Sequence, residues 1–250
     1  MKTLLPAVAC WVLTAGLLAA PTAALGQVTV RGQAQLVSRA KGRKTRDNSN
    51  VVVWLIPEAG AVSRADLMRE FKPTQPLRLV QKDKAFHPHI LVVPAGAVVE
   101  FPNHDPFFHN VFSLFEGKRF DLGLYEAGST RRVHFDRAGI SYIFCNIHAQ
   151  MSGVVIALDT PFYAISQHSG VFTIAAVPPG NYELHVWYEG STPDVLKALA
   201  RKVTIAESGV SLAAIHILEN TSLKPHKNKY GQDYDPTTYD PLYQQEQNEQ

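Results

Sequence analysis

Short runs of β-branched and aromatic residues recur along almost the whole chain. Some alternate with polar positions, others are unbroken, and Gly, Pro, Asn and Asp gather between them. A period of two without a sustained helical period predicts strands. Val28 to Val37 alternates weakly and reads as the first strand, followed by a polar, basic connection, R-A-K-G-R-K-T-R-D-N-S-N. The next stretch, V-V-V-W-L-I-P-E, is apolar throughout, as expected of a strand buried on both faces, and Pro57 ends it. Ser63 and Asp66 then form a capping box that predicts a short helix to about Phe71, before Pro73.

From Leu77 the predicted strands are L-R-L-V-Q, I-L-V-V-P-A-G, A-V-V-E-F-P-N, V-F-S-L-F (Val111 to Phe115), R-R-V-H-F, S-Y-I-F-C and G-V-V-I-A-L. This punctuation predicts an antiparallel β-sandwich. Beyond Leu158 a second all-β unit alternates strands with Ser-Gly and Pro-Pro-Gly turns. Thr192 and Pro193 predict a helix through Ala200, with the threonine hydroxyl as N-cap, and strands at Val203 to Ile205 and Ser211 to Leu218 close the unit. After about Ser222 the chain is rich in Lys, Asn, Gln, Asp, Tyr and Pro without apolar periodicity, which predicts an extended or disordered tail, with packing of Tyr230, Tyr234, Tyr239 and Tyr243 on the body as the alternative.

Composition changes this picture in three places. The first residues run from Lys2 through an apolar stretch, Leu4 to Ala20, to the small residues A-A-L-G, which reads as a secretory signal peptide cleaved after Gly26. Without Lys2 the 24 Lys and Arg become 23 against 22 Asp and Glu, so no general attraction to nucleic acid or membrane is implied. Cys10 lies in the leader, so Cys145 is the one thiol expected in the mature chain; alone in an oxidising compartment, it calls for protection by burial or by a metal.

The chemistry gathers in G-I-S-Y-I-F-C-N-I-H-A-Q-M-S-G, Gly139 to Gly153. Here a predicted strand runs into Cys145, with His148 and Met151 following at short spacing. Thiolate, imidazole and thioether form a soft donor set that suits copper, and a tight loop brings all three together. A further imidazole is required, and His109 in H-D-P-F-F-H-N-V is the best candidate. Two histidines, one cysteine and a weak axial methionine make a blue-copper electron-transfer centre. His87, His89 and His104 read as ordinary histidines, since alternation points the first two apart. Serine-hydrolase, phosphate-loop and zinc-protease motifs are absent from the sequence, which excludes those enzyme classes.

F-P-N-H-D-P-F-F-H-N-V followed by Y-I-F-C-N-I-H-A-Q-M-S-G resembles the cupredoxins, with a Cys-x-x-His-x-x-Met loop most similar to that of amicyanin. The resemblance implies a Greek-key β-sandwich over residues 73–158 and one type 1 copper held by His109, Cys145, His148 and Met151. It further implies Asn110 as a group bonding to the cysteine loop, with Asn146 beside it. Asn146 and Ile147 depart from the hydroxyl residue and the proline common in the family. Phe107, Phe108, Ile147 and Ala149 would collar His148, the expected electron exit, as a contact patch for transient redox partners. The second unit resembles a carboxypeptidase regulatory-like, or transthyretin-like, sandwich. Its opening strands lie far upstream, so the expected organisation is a discontinuous domain. Residues 1–26 are the leader, 27–60 the first strands, 61–72 a helical connection, 73–158 the copper module, 159–220 the remainder of the second sandwich and 221–250 the tail. The combination is similar to proteins linked with methylamine utilisation. The expected function is that of an exported, periplasmic one-electron carrier that is not an enzyme, binds no nucleic acid and does not insert in membranes after leader cleavage. The rival is a non-redox copper carrier or a protein- or glycan-binding β-module.

Overall fold

The computed structural model describes residues 26–38, 47–58, 63–73, 76–114, 117–220 and 226–234. Residues 1–25 of the expected leader, most of the basic connection, Phe115, Tyr239 and Tyr243 lie outside these residues. The described residues are all-β apart from two short helices. In order come β1 (Val28–Ser38), β2 (Val52–Pro57), α1 (Arg64–Glu70), β3 (Val80–Lys82), β4 (Ala85–His87), β5 (Ile90–Pro94), β6 (Ala97–Pro102), β7 (His109–Ser113), β8 (Phe120–Tyr125), β9 (Thr130–Phe135), β10 (Gly139–Cys145) and β11 (Ser152–Leu158). There follow β12 (Tyr163–Ile165), β13 (Val171–Val177), β14 (Gly180–Trp187), α2 (Pro193–Ala198), β15 (Arg201–Ile205), β16 (Val210–Ser211) and β17 (Ile215–Glu219). No helix among the described residues is long and apolar enough to cross a membrane.

Helix α1 begins where the capping box predicts, with the Asp66 N–H donating to Ser63 Oγ at 3.2 Å. Helix α2 starts with Pro193, but Thr192 departs from the expected role, because its side chain makes no cap hydrogen bond and the helix ends two residues early. The strand pattern misses β4 and β8, and β3 keeps only Val80 and Gln81 of the expected L-R-L-V-Q run. Gly123, at φ +67°, and Asp121 break the alternation of β8, which is the edge of its sheet.

Pairing joins distant parts of the chain. β1 lies between β13 and the parallel partners β16 and β17, and β2 lies between β12 and β14, with β15 beyond. The strands before and after residues 63–158 thus build two sheets together. Between them in sequence, β5, β11, β10, β7 and β8 form a five-stranded sheet, and β6–β9 and β3–β4 form two ribbons. The five-stranded sheet is mixed rather than wholly antiparallel, because β5 runs parallel to β11.

The five-stranded sheet carries a core on each face, which is why I-L-V-V and V-V-I-A-L show no alternation. Leu91, Val93, Ile143, Cys145, Val155 and Ala157 face one core, closed by Val99, Phe101, Val133 and Phe135 of the β6–β9 ribbon. Ile90, Val92, Val154, Ile156 and Leu158 belong to the other, with Val52, Leu55, Leu184 and Trp187 of the β2–β14 sheet. The Trp187 indole N–H donates to the Tyr142 hydroxyl across that boundary at 3.3 Å.

Candidate metal centre

Cys145 ends β10 and His109 opens β7, and these strands are neighbours, with Cys145 opposite Val111. The inward-facing alternation of β10, Ile143 then Cys145, delivers the thiol to the end of the core, where it is fully buried. The chain then turns sharply. Asn146 N–H donates to the Asn110 carbonyl (2.8 Å), Met151 N–H to the His148 carbonyl (3.0 Å) and Cys145 N–H to the Met151 carbonyl (3.3 Å), closing the loop on itself. Met151 is fully buried at the loop's end.

This loop places both imidazoles against the thiol. Cys145 Sγ lies 3.6 Å from His109 Nδ1 and 3.6 Å from His148 Nδ1, and all three donor atoms lie within 4.8 Å of one another. A metal with sulfur at about 2.3 Å and nitrogen at about 2.0 Å separates the two donors by about 3.5–3.7 Å for angles between tetrahedral and trigonal. The cluster therefore has the spacing of co-ligands. Among the described residues it is the group of His, Cys, Asp and Glu side chains that could hold a metal ion. The rings stand 5.0 Å apart, and Phe107 packs 5.4 Å from each, walling the site.

Asp105, overlooked in the sequence as part of a turn, decides which nitrogen His109 offers. His109 Nε2 lies 2.8 Å from Asp105 Oδ2, so the proton sits on Nε2 and Nδ1 presents its lone pair to the thiol. Asp105 is itself gripped by the N–H groups of Asp83 (2.6 Å) and Lys84 (3.1 Å) in the β3–β4 turn, both residues having positive φ. Burial opposes its ionisation, but the His109 bond and these two N–H groups outweigh that and hold the carboxyl below its ordinary range. Burial pushes His109 down against the pull of Asp105, with Lys84 adding to the fall, so the ring is neutral and ready to ligate. The Cys145 thiol is pushed up by burial, although backbone N–H groups of Asn110, Ile147 and His148 point at the sulfur and favour its thiolate. A bound cation would supply the missing charge.

Of the other expected residues, Asn110 meets the cysteine loop through its backbone, not its side chain. The side-chain amide turns away to Asp121 Oδ1 at 2.7 Å, because position 110 faces the outer side of the sheet. Asn146 Oδ1 accepts from the Lys229 backbone N–H. Phe108 is 51% exposed and Ala149 is exposed beside the half-buried His148, while Ile147 packs partly into the core. His87 and His104 are exposed, and His89 is engaged by Glu189 at 2.6 Å, so the three form no second cluster.

No protein-family model and no curated protein matches the chain. Among solved structures, 34% of the chain aligns with the Cu-containing nitrite reductase (NirK) from Thermus scotoductus SA-01 at 24% identity and TM-score 0.32, and spans only 22% of that chain. A purple cupredoxin from Nitrosopumilus maritimus aligns over 32% of this chain and 98% of its own, at 22% identity and TM-score 0.30. An oxidised point mutant of amicyanin aligns over 42% and 92%, at 16% identity and TM-score 0.31.

Proposed function

We propose that the chain is an exported mononuclear type 1 copper protein that carries one electron at a time between redox partners. The observation that supports this most is the pair of equal 3.6 Å separations from a buried Cys145 sulfur to two imidazole Nδ1 atoms. His109, Cys145 and His148 would hold the ion, with Met151 as a further, weak sulfur donor, and the bound copper would supply one-electron chemistry between Cu(II) and Cu(I). The chain's own contribution is a fixed, water-poor pocket. His109 is locked by Asp105, Cys145 is sheltered in the core, and Phe107 closes the side between the rings. The half-buried ring of His148, rimmed by Phe107, Phe108, Ile147 and Ala149, is the expected contact with a redox partner, since small apolar patches suit weak, fast encounters. The residue 1–26 leader would place this activity in the periplasm, with the second sandwich, regulatory-like in sequence, as a non-catalytic companion.

Titration of the mature protein with Cu(II) tests the reading. The expected result is an intense visible thiolate-to-copper band with narrow hyperfine splitting, both lost in Cys145→Ser. A colourless one-to-one complex would instead favour a copper carrier without redox function.

A further inference from the structure

The predicted tail contains a built element. Residues 226–234 have no regular secondary structure, yet they fold around Asn228. Its side-chain oxygen accepts the N–H groups of Tyr230 and Gln232, both at 3.0 Å, and its backbone N–H donates to the Gln232 carbonyl at 2.9 Å. Gly231, at φ +77°, takes the left-handed position that this turn requires.

The turn docks on the outer face of the sheet, opposite the candidate ligands. Tyr234 donates its hydroxyl proton to the Cys145 carbonyl at 2.7 Å. The Lys229 N–H donates to Asn146 Oδ1 at 3.0 Å, and its ammonium reaches Asp121 Oδ2 at 2.8 Å, the carboxylate that also holds the Asn110 side chain. The His226 ring stacks on Phe144 at 4.1 Å and 23° and meets the Tyr234 ring edge-on at 5.3 Å. Every one of these contacts with the sheet falls on Cys145, on a residue next to a candidate ligand, or on the carboxylate bonded to such a residue.

We infer that residues 226–234 are a strap whose Tyr234 and Lys229 are positioning residues for the metal centre. The strap holds the Cys145–Asn146 peptide, and so the thiol attached to it, in the binding orientation before metal arrives. The inference rests on the copper reading for its purpose but not for its geometry. A loop that must be ordered during binding loses affinity to the conformational entropy it gives up, and a loop ordered beforehand does not. Support around ligands of this kind is worth about 10–100-fold in metal affinity.

The test uses the full chain and Tyr234→Phe, which removes one hydroxyl and keeps the ring against His226, together with Lys229→Met and its conservative counterpart Lys229→Arg. In metal-free protein, amide hydrogen exchange of Asn146 to Met151 is expected to quicken about tenfold in Tyr234→Phe and Lys229→Met, and to recover in Lys229→Arg, while β5 and β11 keep the wild-type rate. In loaded protein, release of copper to a chelator should quicken by a similar factor and the hyperfine splitting should broaden. Unchanged exchange in the loop would overturn the inference, as would quickening that spreads to β5 and β11, because the tail would then merely stabilise the whole fold. Wild-type protein that takes up no copper would remove the functional reading, and the metal-free exchange comparison would still decide on the strap.

Discussion

The two segments that bring an imidazole to Cys145 differ in every respect that governs mobility. His109 sits at the start of a paired strand, is fully buried, and is backed by a carboxylate that is in turn held by a hairpin turn. His148 sits mid-loop, half-buried, between Ile147 and the exposed Ala149. One imidazole is fixed by the fold; the other depends on the loop's closure and on what lies behind it. The centre thus joins a rigid wall to an accessible rim, the division of labour expected where an ion must be held still and yet be approached.

Removing each histidine gives the largest contrast. His109→Ala should abolish tight copper binding and, in urea unfolding of the metal-free protein, cost about 2–3 kcal/mol, because a buried carboxylate loses a charge-assisted hydrogen bond. His148→Ala should also lose the blue colour but cost under about 1 kcal/mol, as expected for a half-buried loop position. Equal costs would erase the distinction between wall and rim.

Asp105→Asn sharpens it. An amide oxygen at the Oδ2 position keeps Lys84 and His109 but turns the NH2 onto the Asp83 N–H, and one at Oδ1 turns the NH2 onto the Lys84 N–H and His109, so either arrangement sets two donors face to face and weakens the hold on the His109 tautomer. Copper affinity should fall about 10–100-fold by competition with a chelator. An unchanged affinity would show that the strand alone orients the ring.

Met151→Leu should have a milder outcome, keeping the copper and its colour and raising the reduction potential in voltammetry, since loss of a soft axial donor disfavours the oxidised ion relative to the reduced one. Loss of copper would instead make Met151 part of the wall.

The smallest effect concerns the loop's exit. His89 Nδ1 bonds the carbonyl of Ser152, directly after Met151, and its Nε2 meets Glu189, just beyond β14, at 2.6 Å. The Glu189 bond raises the folded-state pKa of His89 above its ordinary 6.5, despite some desolvation. A raised folded-state value means that the stabilisation is fully present below about pH 6.5 and is lost as pH climbs through the folded-state pKa. Both groups are more than a third exposed, so the effect should stay well under about 1 kcal/mol. It is read as a slightly larger denaturant midpoint at pH 6 than at pH 9, a difference absent in Glu189→Gln.

Why the wall was harder to read than the rim follows from spacing. Cys145, His148 and Met151 lie within one loop, so a single local pattern exposes their chemistry. His109 was reachable because a strand-like run follows it. Asp105 was not, because an aspartate between His104 and Pro106 carries every mark of a turn, and its partners in the β3–β4 hairpin are brought to it only by the fold. Strand β8 escaped for the opposite reason: its partner β7 supplies the order that its own Gly123 and Asp121 deny. Tyr234 lies in a stretch whose polar composition predicts no fixed structure, yet one hydroxyl and one carbonyl tie it to Cys145. Patterns of period two report which way a side chain faces and are blind to bonds made across the sheet.

The sheet with a core on each face also sets an order of assembly. Strands β1 and β2 precede the segment at residues 63–158 and their partners β12, β13, β14, β16 and β17 follow it, so β1 and β2 must wait while that segment is made. That segment can close its own core through contacts near in sequence, leaving Ile90, Val92, Val154 and Ile156 as a bare apolar ridge. Late pairings across such separations are slow, and exposed ridges invite association with other chains. The ridge is best understood as the template on which the strands before and after this segment meet, and a nascent chain stalled before β14 should be prone to aggregate through it.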